Sequence, residues 1–262
     1  MLLTDTHTHL YYETDAAKRH DLIQRCFENK VERLFLPNVN SATVPLVLGL
    51  CNDFPGNIFP MIGLHPCDVK KTSDGEVLNY REELDTLRKV MGDTRFYAVG
   101  EIGIDLYWDK TTLDIQREAF ITQINWAKEM GLPIVIHCRD AFDEVFDVLK
   151  EQKDEKLRGI FHCFTGNAEQ AQEVIDLGFL LGIGGVVTYK NSGLDKVVAG
   201  QDLKDIVLET DSPYLTPVPF RGKPNESSYL IHVAQKVADL KQVSVEEVAR
   251  ITTENSKRVF GI

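Results

Sequence analysis

The 262-residue sequence predicts an α/β protein built as a single (β/α)8 barrel of the TIM type, with a further helix at its carboxyl end. Eight short apolar runs recur along the chain, and most are separated by stretches with apolar residues at helical spacing. Eight such units need about 250 residues, the usual size of a closed barrel. We therefore expect residues 1–262 to form one domain. An open, doubly wound sheet is the alternative, but no G-x-G-x-x-G motif follows the first predicted strand.

The predicted strands are the apolar runs, and Pro, Gly, Asn and Asp cluster where they end. They cover residues 2–3, 33–36, 58–62, 96–99, 133–136, 159–161, 179–183 and 206–208. Between them, residues 113–130 and 142–149 have clear helical spacing. In the last segment, residues 244–260, Ser244 is followed three positions later by Glu247. This pattern predicts a capping box and a terminal helix that seals the outside of the barrel.

The charge balance limits the partners that the protein can bind. There are 29 Lys and Arg residues against 40 Asp and Glu residues, which gives a net charge of −11. Because proteins that hold long duplexes usually present a basic face, this charge argues against a broad nucleic-acid clamp. It does not argue against phosphate chemistry at one metal-bearing position.

No apolar run is long enough to span a membrane, and the amino terminus lacks a signal-peptide pattern, so we expect a cytoplasmic protein without a membrane partner. The five cysteines include no C-x-x-C pair, which predicts neither a disulfide framework nor a zinc ribbon.

Ionisable residues follow nearly every predicted strand, and a parallel barrel brings such positions together at its carboxyl rim. They are His7, His9, His65, Glu101, His137, His162, Glu209 and Asp211. The imidazoles of His7 and His9 share one face of an extended chain, because the two residues are two positions apart. Glu101 lies in an apolar, glycine-rich run, where a carboxylate needs a metal or a cationic partner.

Each of these signals has a simpler alternative. His7 and His9 could be an exposed pair in a turn, Glu101 could pair with a distant arginine, and His137 and His162 could be core histidines. Strand alternation also bears on Cys138 and Cys163. If their neighbouring histidines face the barrel centre, both cysteines face the helices as small buried hydrophobes rather than zinc thiolates.

Taken together, six of these residues form a mixed nitrogen and oxygen shell for metal. They are His7, His9, Glu101, His137, His162 and Asp211. Such a shell suits Zn, Mn, Ni or Fe, and Mg with more difficulty. Because six ligands are too many for one catalytic ion, we expect two divalent ions per chain, about 3.5–4 Å apart, with Glu101 as the bridge. Glu209 and Asp211 lie on the same face, so one could be a ligand and the other an orienting residue, or both could line the pocket. The reaction class that such a metal pair implies is hydrolysis.

Six ordered motifs carry a family resemblance: DTHTHL, IGLHP, GEIGID, IHCRD, FHCFTG and ETDSPYL. With RGKPNE and a closing TTENSKRVF, they resemble the TatD family of metal-dependent deoxyribonucleases, in the amidohydrolase-like group of barrels. The resemblance implies that His7, His9 and Asp211 hold one ion, that His137 and His162 hold the other, and that Glu101 bridges them. It also implies magnesium-dependent 3′→5′ exonuclease activity on DNA, preferably single-stranded, with RNA as a substrate for some members.

The expected catalytic residues are Glu101 and Asp211, and Asp211 would orient the attacking water and move its proton. His65 and Arg139 would donate to the substrate phosphate, although Arg139 could instead pair with Asp140 or Asp105. The expected partner is short or single-stranded DNA held at an end, or RNA, and the protein is expected to be a monomer.

Two other functions compete with this one. The first is hydrolysis of an amide, lactone or phosphotriester small molecule, where a carbamylated Lys often bridges the metals; no predicted strand here ends in Lys. The second is a barrel that binds metal or a partner without turnover.

Overall fold

Eight parallel strands alternate with helices in the computed structural model, which describes residues 1–71, 75 and 77–262. Strands β1 to β8 are Leu3–Asp5, Val31–Pro37, Ile58–Met61, Val99–Asp105, Ile134–Arg139, Gly159–Phe161, Phe179–Ile183 and Ile206–Leu208. Helices α1 to α9 are Ala16–Glu28, Val44–Asp53, Tyr80–Asp93, Leu113–Met130, Phe142–Glu151, Ala168–Asp176, Leu194–Gly200, Leu230–Lys241 and Val245–Phe260. No helix in these described residues is both long and apolar enough to cross a membrane.

Backbone hydrogen bonds between neighbouring strands run all the way round the barrel. Strands β1 to β3 pair in parallel, as do β4 to β8. Bonds from the Ile62 amide to the Ala98 carbonyl and from the Gly100 amide to the Ile62 carbonyl join β3 to β4. The Thr6 amide bonds to the Leu208 carbonyl, and this bond joins β1 to β8. The predicted barrel fold is confirmed, and the open sheet does not apply.

Strand β4 differs most from its predicted position. The apolar pattern predicts residues 96–99, whereas the strand is Val99–Asp105 and all of its residues are buried. Gly100, Glu101 and Gly103 interrupt the apolar pattern, so these residues are not recognised as a strand from the sequence. Gly103 is required there, because a Cβ atom would lie 2.0 Å from the His137 carbonyl oxygen. Glu101 therefore lies inside the strand rather than after it.

The barrel interior beneath the rim is filled by a small apolar cluster, separate from the larger core between strands and helices. Its buried members are Phe35, Phe59, Met61, Ala98, Val135, Ile160, Leu180, Val207, Val259 and Phe260. The strand residues in this cluster share the inward face with the rim histidines and carboxylates, so the cluster supports the site from below.

Helix α9 is confirmed as the sealing element, but it seals a different surface from the predicted outer wall. Its Asn255 side chain donates to the Ile206 carbonyl at the start of β8, and Thr253 donates to the Leu2 carbonyl before β1. The Phe260 ring stacks on Phe35 at 3.7 Å between centroids. The helix therefore lies across the amino end of the barrel.

The cap of α9 is only half of the predicted capping box. The Ser244 hydroxyl accepts from the Glu247 amide at 3.2 Å, as predicted. The Glu247 carboxylate pairs with Arg250 at 2.7 Å, one turn further on.

Replacing Phe260 with Ala should lower the free energy of unfolding by about 3–5 kcal/mol, because a buried ring is lost from a closed interior. Denaturant unfolding followed by circular dichroism measures this change. Ile262→Ala is the control: that side chain is 38% exposed, so its loss should cost less than about 0.5 kcal/mol. Similar midpoints for the two variants would show that α9 does not close the barrel interior.

Candidate metal centre

The Glu101 carboxylate lies at the centre of the rim, and its residue is only 2% exposed. Its Oε1 lies 2.6 Å from His137 Nδ1, 2.7 Å from His162 Nε2 and 3.2 Å from His65 Nε2. Its Oε2 lies 3.1 Å from His7 Nε2 and 3.6 Å from His9 Nε2. The two oxygens of one carboxylate therefore face two different groups of imidazoles.

Glu101 is ionised in this setting. Burial alone would raise its pKa, because the charged form loses its hydration. The imidazoles of His162 and His65, with a hydrogen bond from His137, outweigh burial and hold the pKa of Glu101 well below its ordinary value. The site thus has one fixed negative charge at its centre, surrounded by nitrogen atoms.

The first group consists of His7, His9 and Asp211. The Nε2 atoms of the two histidines are 3.3 Å apart, and Asp211 Oδ1 lies 3.8 Å from His7 Nε2 and 3.5 Å from His9 Nε2. Burial, and then the neighbouring His162, lower the pKa of His7 and keep it neutral. Two facing imidazole nitrogens can share only one proton, whereas a cation accepts a lone pair from each. This group fits a metal ion.

The second group consists of His137 and His162, and each has an acidic residue at its outer nitrogen. His137 Nε2 lies 2.9 Å from Asp105 Oδ2, and His162 Nδ1 lies 3.4 Å from Glu209 Oε1. A carboxylate there favours a proton on the outer nitrogen and leaves a lone pair on the inner one, as is usual for histidines that bind metal. The inner nitrogen then faces Glu101 Oε1, and two acceptors this close need a cation or a proton between them. This group also fits a metal ion.

His65 occupies the same side as the second group but presents a donor. It follows β3 and caps the short 3-10 helix Pro66–Asp68, where its Nδ1 accepts from the Cys67 amide at 3.0 Å. Its Nε2 must therefore carry the proton, and this nitrogen points to Glu101 Oε1 at 3.2 Å. His65 is placed to donate rather than to bind metal.

The two acidic residues near β8 occupy different positions. Asp211 faces the first group, whereas Glu209 is fully buried behind His162 and also accepts from the Cys163 amide at 2.6 Å. Asp105 was not among the sequence candidates, except as a partner for Arg139. Its position four residues after Glu101, on the same face of β4, was the signal that could have found it.

The structure answers two further questions. Arg139 is exposed at the rim, and its guanidinium lies 3.8 Å from the centroid of the Tyr107 ring, so the alternative pairing with Asp140 or Asp105 does not apply. The strand ends at Phe161, and Cys163 has a φ of +45°, so alternation does not turn it towards the helices. Burial, and then the Asp211 and Glu209 carboxylates, raise the pKa of the Cys163 thiol well above its ordinary value. Cys163 therefore borders the site.

Comparison with known proteins agrees with this geometry. The family described as TatD related DNase matches residues 4–261. The chain belongs to this family. The uncharacterized metal-dependent hydrolase YabD of Bacillus subtilis is 41% identical to it over 262 residues, which cover 100% of both chains. The uncharacterized metal-dependent hydrolase YcfH of Escherichia coli is 34% identical over 269 residues, covering 100% of this chain and 97% of YcfH.

A solved structure shares the whole architecture. The TatD homolog YjjV of Escherichia coli superposes with a TM-score of 0.90 at 27% identity, covering 99% of this chain and 98% of YjjV. The family resemblance is confirmed, and the protein is a metal-dependent hydrolase of the TatD family.

Replacing Glu101 with Gln should weaken Mn²⁺ binding by about 100-fold or more, because the central charge is lost while the side-chain size is kept. Calorimetric titration of the chelator-stripped protein measures the affinity. Glu247→Gln, at an exposed position on α9, is the control and should bind as the unchanged protein does. Equal affinity in the two variants would remove Glu101 from the centre.

Replacing Gly182 with Ala should disturb the second group, because the new Cβ atom would lie 2.4 Å from Glu209 Oε2 and 3.0 Å from His162 Cα. We expect metal affinity to fall about tenfold to 100-fold, as for other residues that support a ligand. Gly49→Ala on α2 is the control, since a Cβ atom there meets nothing within 4 Å. Unchanged affinity in the Gly182 variant would show that Glu209 does not support His162.

Proposed function

We propose that this protein is a two-metal deoxyribonuclease that removes nucleotides from the 3′ end of single-stranded or end-frayed DNA. The observation that carries the proposal is the position of the Glu101 carboxylate, whose two oxygens face two separate groups of imidazoles. A carboxylate shared by two cations is a common arrangement in enzymes that hydrolyse phosphate esters. The family description supports DNA as the substrate.

The donor atoms present fit two divalent ions. Glu101 Oε2 and the first group would hold one ion, and Glu101 Oε1 with His137 and His162 would hold the other. The many nitrogen donors suit Mn, Zn or Ni, and Mg is the ion implied by the family resemblance. When bound, such ions lower the pKa of a water molecule and neutralise the charge that grows on the phosphate oxygens.

Asp211 is our candidate for the group that orients the attacking water and accepts its proton. Its side chain is 14% exposed, compared with 3% for Glu101, so it can reach water at the mouth of the site. Burial would raise its pKa, but a hydrogen bond from His9 and the neighbouring His162 lower it below the ordinary value. Asp211 is therefore ionised near neutral pH, the form that accepts a hydrogen bond from the attacking water and orients it.

His65 is our candidate donor to the phosphate. Because the Cys67 amide donates a hydrogen bond to His65 Nδ1, the proton of His65 lies on Nε2, which points into the site beside Glu101. A donor fixed in this orientation stabilises the charge that develops on a phosphate oxygen without having to reorganise. Small-molecule amide or lactone hydrolysis is the competing function. The carboxylate of Glu101 at the bridging position, in place of a carbamylated Lys, favours the nuclease.

The test uses the chelator-stripped protein, reloaded with Mg, Mn or Zn. Single-stranded DNA labelled at its 5′ end should give a ladder of products that shorten from the 3′ end. Amides and lactones should remain intact. Matched RNA and blunt duplex DNA measure the substrate preference.

Two variants protect this assay against a contaminating nuclease. Asp211→Asn should lower kcat by about 10²- to 10⁴-fold, because the proton acceptor is lost. Asp239→Asn, at an exposed position on α8, should retain full activity. Turnover of only the carbonyl substrates, or equal DNA cleavage by both variants, would contradict the proposed function.

A further inference from the structure

The loop after β4 presents two aromatic side chains at the surface. Trp108 is 72% exposed and Tyr107 is 52% exposed, and their rings meet edge to face with centroids 4.9 Å apart. Trp108 is the most exposed large apolar side chain in the part of the chain that the structure describes. Burying an aromatic ring is strongly favourable, so an exposed ring at a rim is a candidate for contact with a ligand.

These rings are tied directly to the metal centre. Asp105 Oδ1 accepts from the Tyr107 amide at 3.0 Å and the Trp108 amide at 3.4 Å, while its Oδ2 lies 2.9 Å from His137 Nε2. His137 in turn lies against Glu101. One carboxylate therefore fixes both the aromatic loop and a candidate metal ligand, so the two keep a constant relative position.

Arg139 adds a positive charge to the same surface. Its guanidinium lies 3.8 Å from the Tyr107 centroid and 5.6 Å from the Trp108 centroid. The side chain is exposed, and it forms no ion pair with a carboxylate in the described residues. Stacking on Tyr107 orders the guanidinium and leaves its N–H groups free to donate to an anion.

We propose that Trp108 stacks on a nucleobase of a single-stranded substrate and that Arg139 donates to the adjoining phosphate. This inference rests on the proposed nuclease function and names how the strand is held. Every base has a flat π face, so the contact tolerates any sequence but requires an unpaired, accessible base. A base in a duplex is covered by its neighbours, so this contact favours single strands. Stacking also needs little positive charge, which agrees with a chain whose net charge is −11.

The two tryptophans make the contact measurable by fluorescence. Trp108 is exposed, whereas Trp126 on α4 is 7% exposed and provides a constant signal. Titration of the full chain in chelator with a ten-nucleotide oligo-dT should quench the Trp108 emission. An abasic strand of the same length has the same phosphates without the bases and should quench much less.

Substitutions of Trp108, followed by their KM and kcat, then distinguish a stacking contact from a purely structural role. Trp108→Leu should raise KM for oligo-dT roughly tenfold, with kcat little changed, because one stacking contact is lost. Trp108→Phe keeps an aromatic face and should restore most of the affinity. Val243→Ala is the control: it removes an exposed apolar side chain beyond the end of α8, at the opposite end of the barrel, and should leave KM unchanged.

The outcomes distinguish this inference from the proposed function. Base-dependent quenching without DNA cleavage would support the stacking contact and overturn the nuclease. Cleavage with equal KM for the Leu and Phe variants would support the nuclease and overturn the stacking contact. Absence of quenching, or equal quenching by abasic and normal strands, would also overturn the stacking contact.

Discussion

The rest of the site depends on one buried negative charge. The Glu101 carboxylate is almost fully removed from water, which is costly unless positive charge or hydrogen bonds replace its hydration. Imidazoles from the ends of β1, β3, β5 and β6 supply that compensation, and each can reach Glu101 only because the barrel closes. A parallel barrel brings the ends of several strands together around one carboxylate. Closure of the barrel and assembly of the site are therefore one structural event.

A second layer of acidic residues sets which nitrogen of each histidine faces inward. Asp105 holds His137 and Glu209 lies behind His162, so both rings turn their other nitrogen towards the centre. Asp5 has a comparable role for the backbone, since it accepts from Thr210 and from the His7 amide and so joins the ends of β1 and β8. The net acidity of the chain is thus partly structural, because several carboxylates orient histidines or backbone groups at the rim.

Much of the fold and most of the candidate site could be predicted from the sequence, because the carboxyl ends of all strands in a parallel barrel meet at one rim. Uninterrupted apolar runs gave β6, β7 and β8 with their observed bounds. Strand β4 could not be located in this way, since Glu101 and two glycines interrupt its apolar pattern. Alternation also fails where a strand has ended, as at Cys163, and it gives the direction of a side chain but not its partner. For that reason the stacking of Arg139 on Tyr107 was not foreseeable, nor was the entry of Phe260 into the barrel.

In the proposed function, two cations share the Glu101 carboxylate. Anomalous diffraction from crystals soaked in Mn²⁺ tests it most directly, because manganese gives a signal that water and protein atoms lack. This arrangement predicts two anomalous peaks, one between Glu101 Oε2 and the pair His7 and His9, and one between Glu101 Oε1 and the pair His137 and His162. A single peak, or two peaks that do not both contact Glu101, would contradict it.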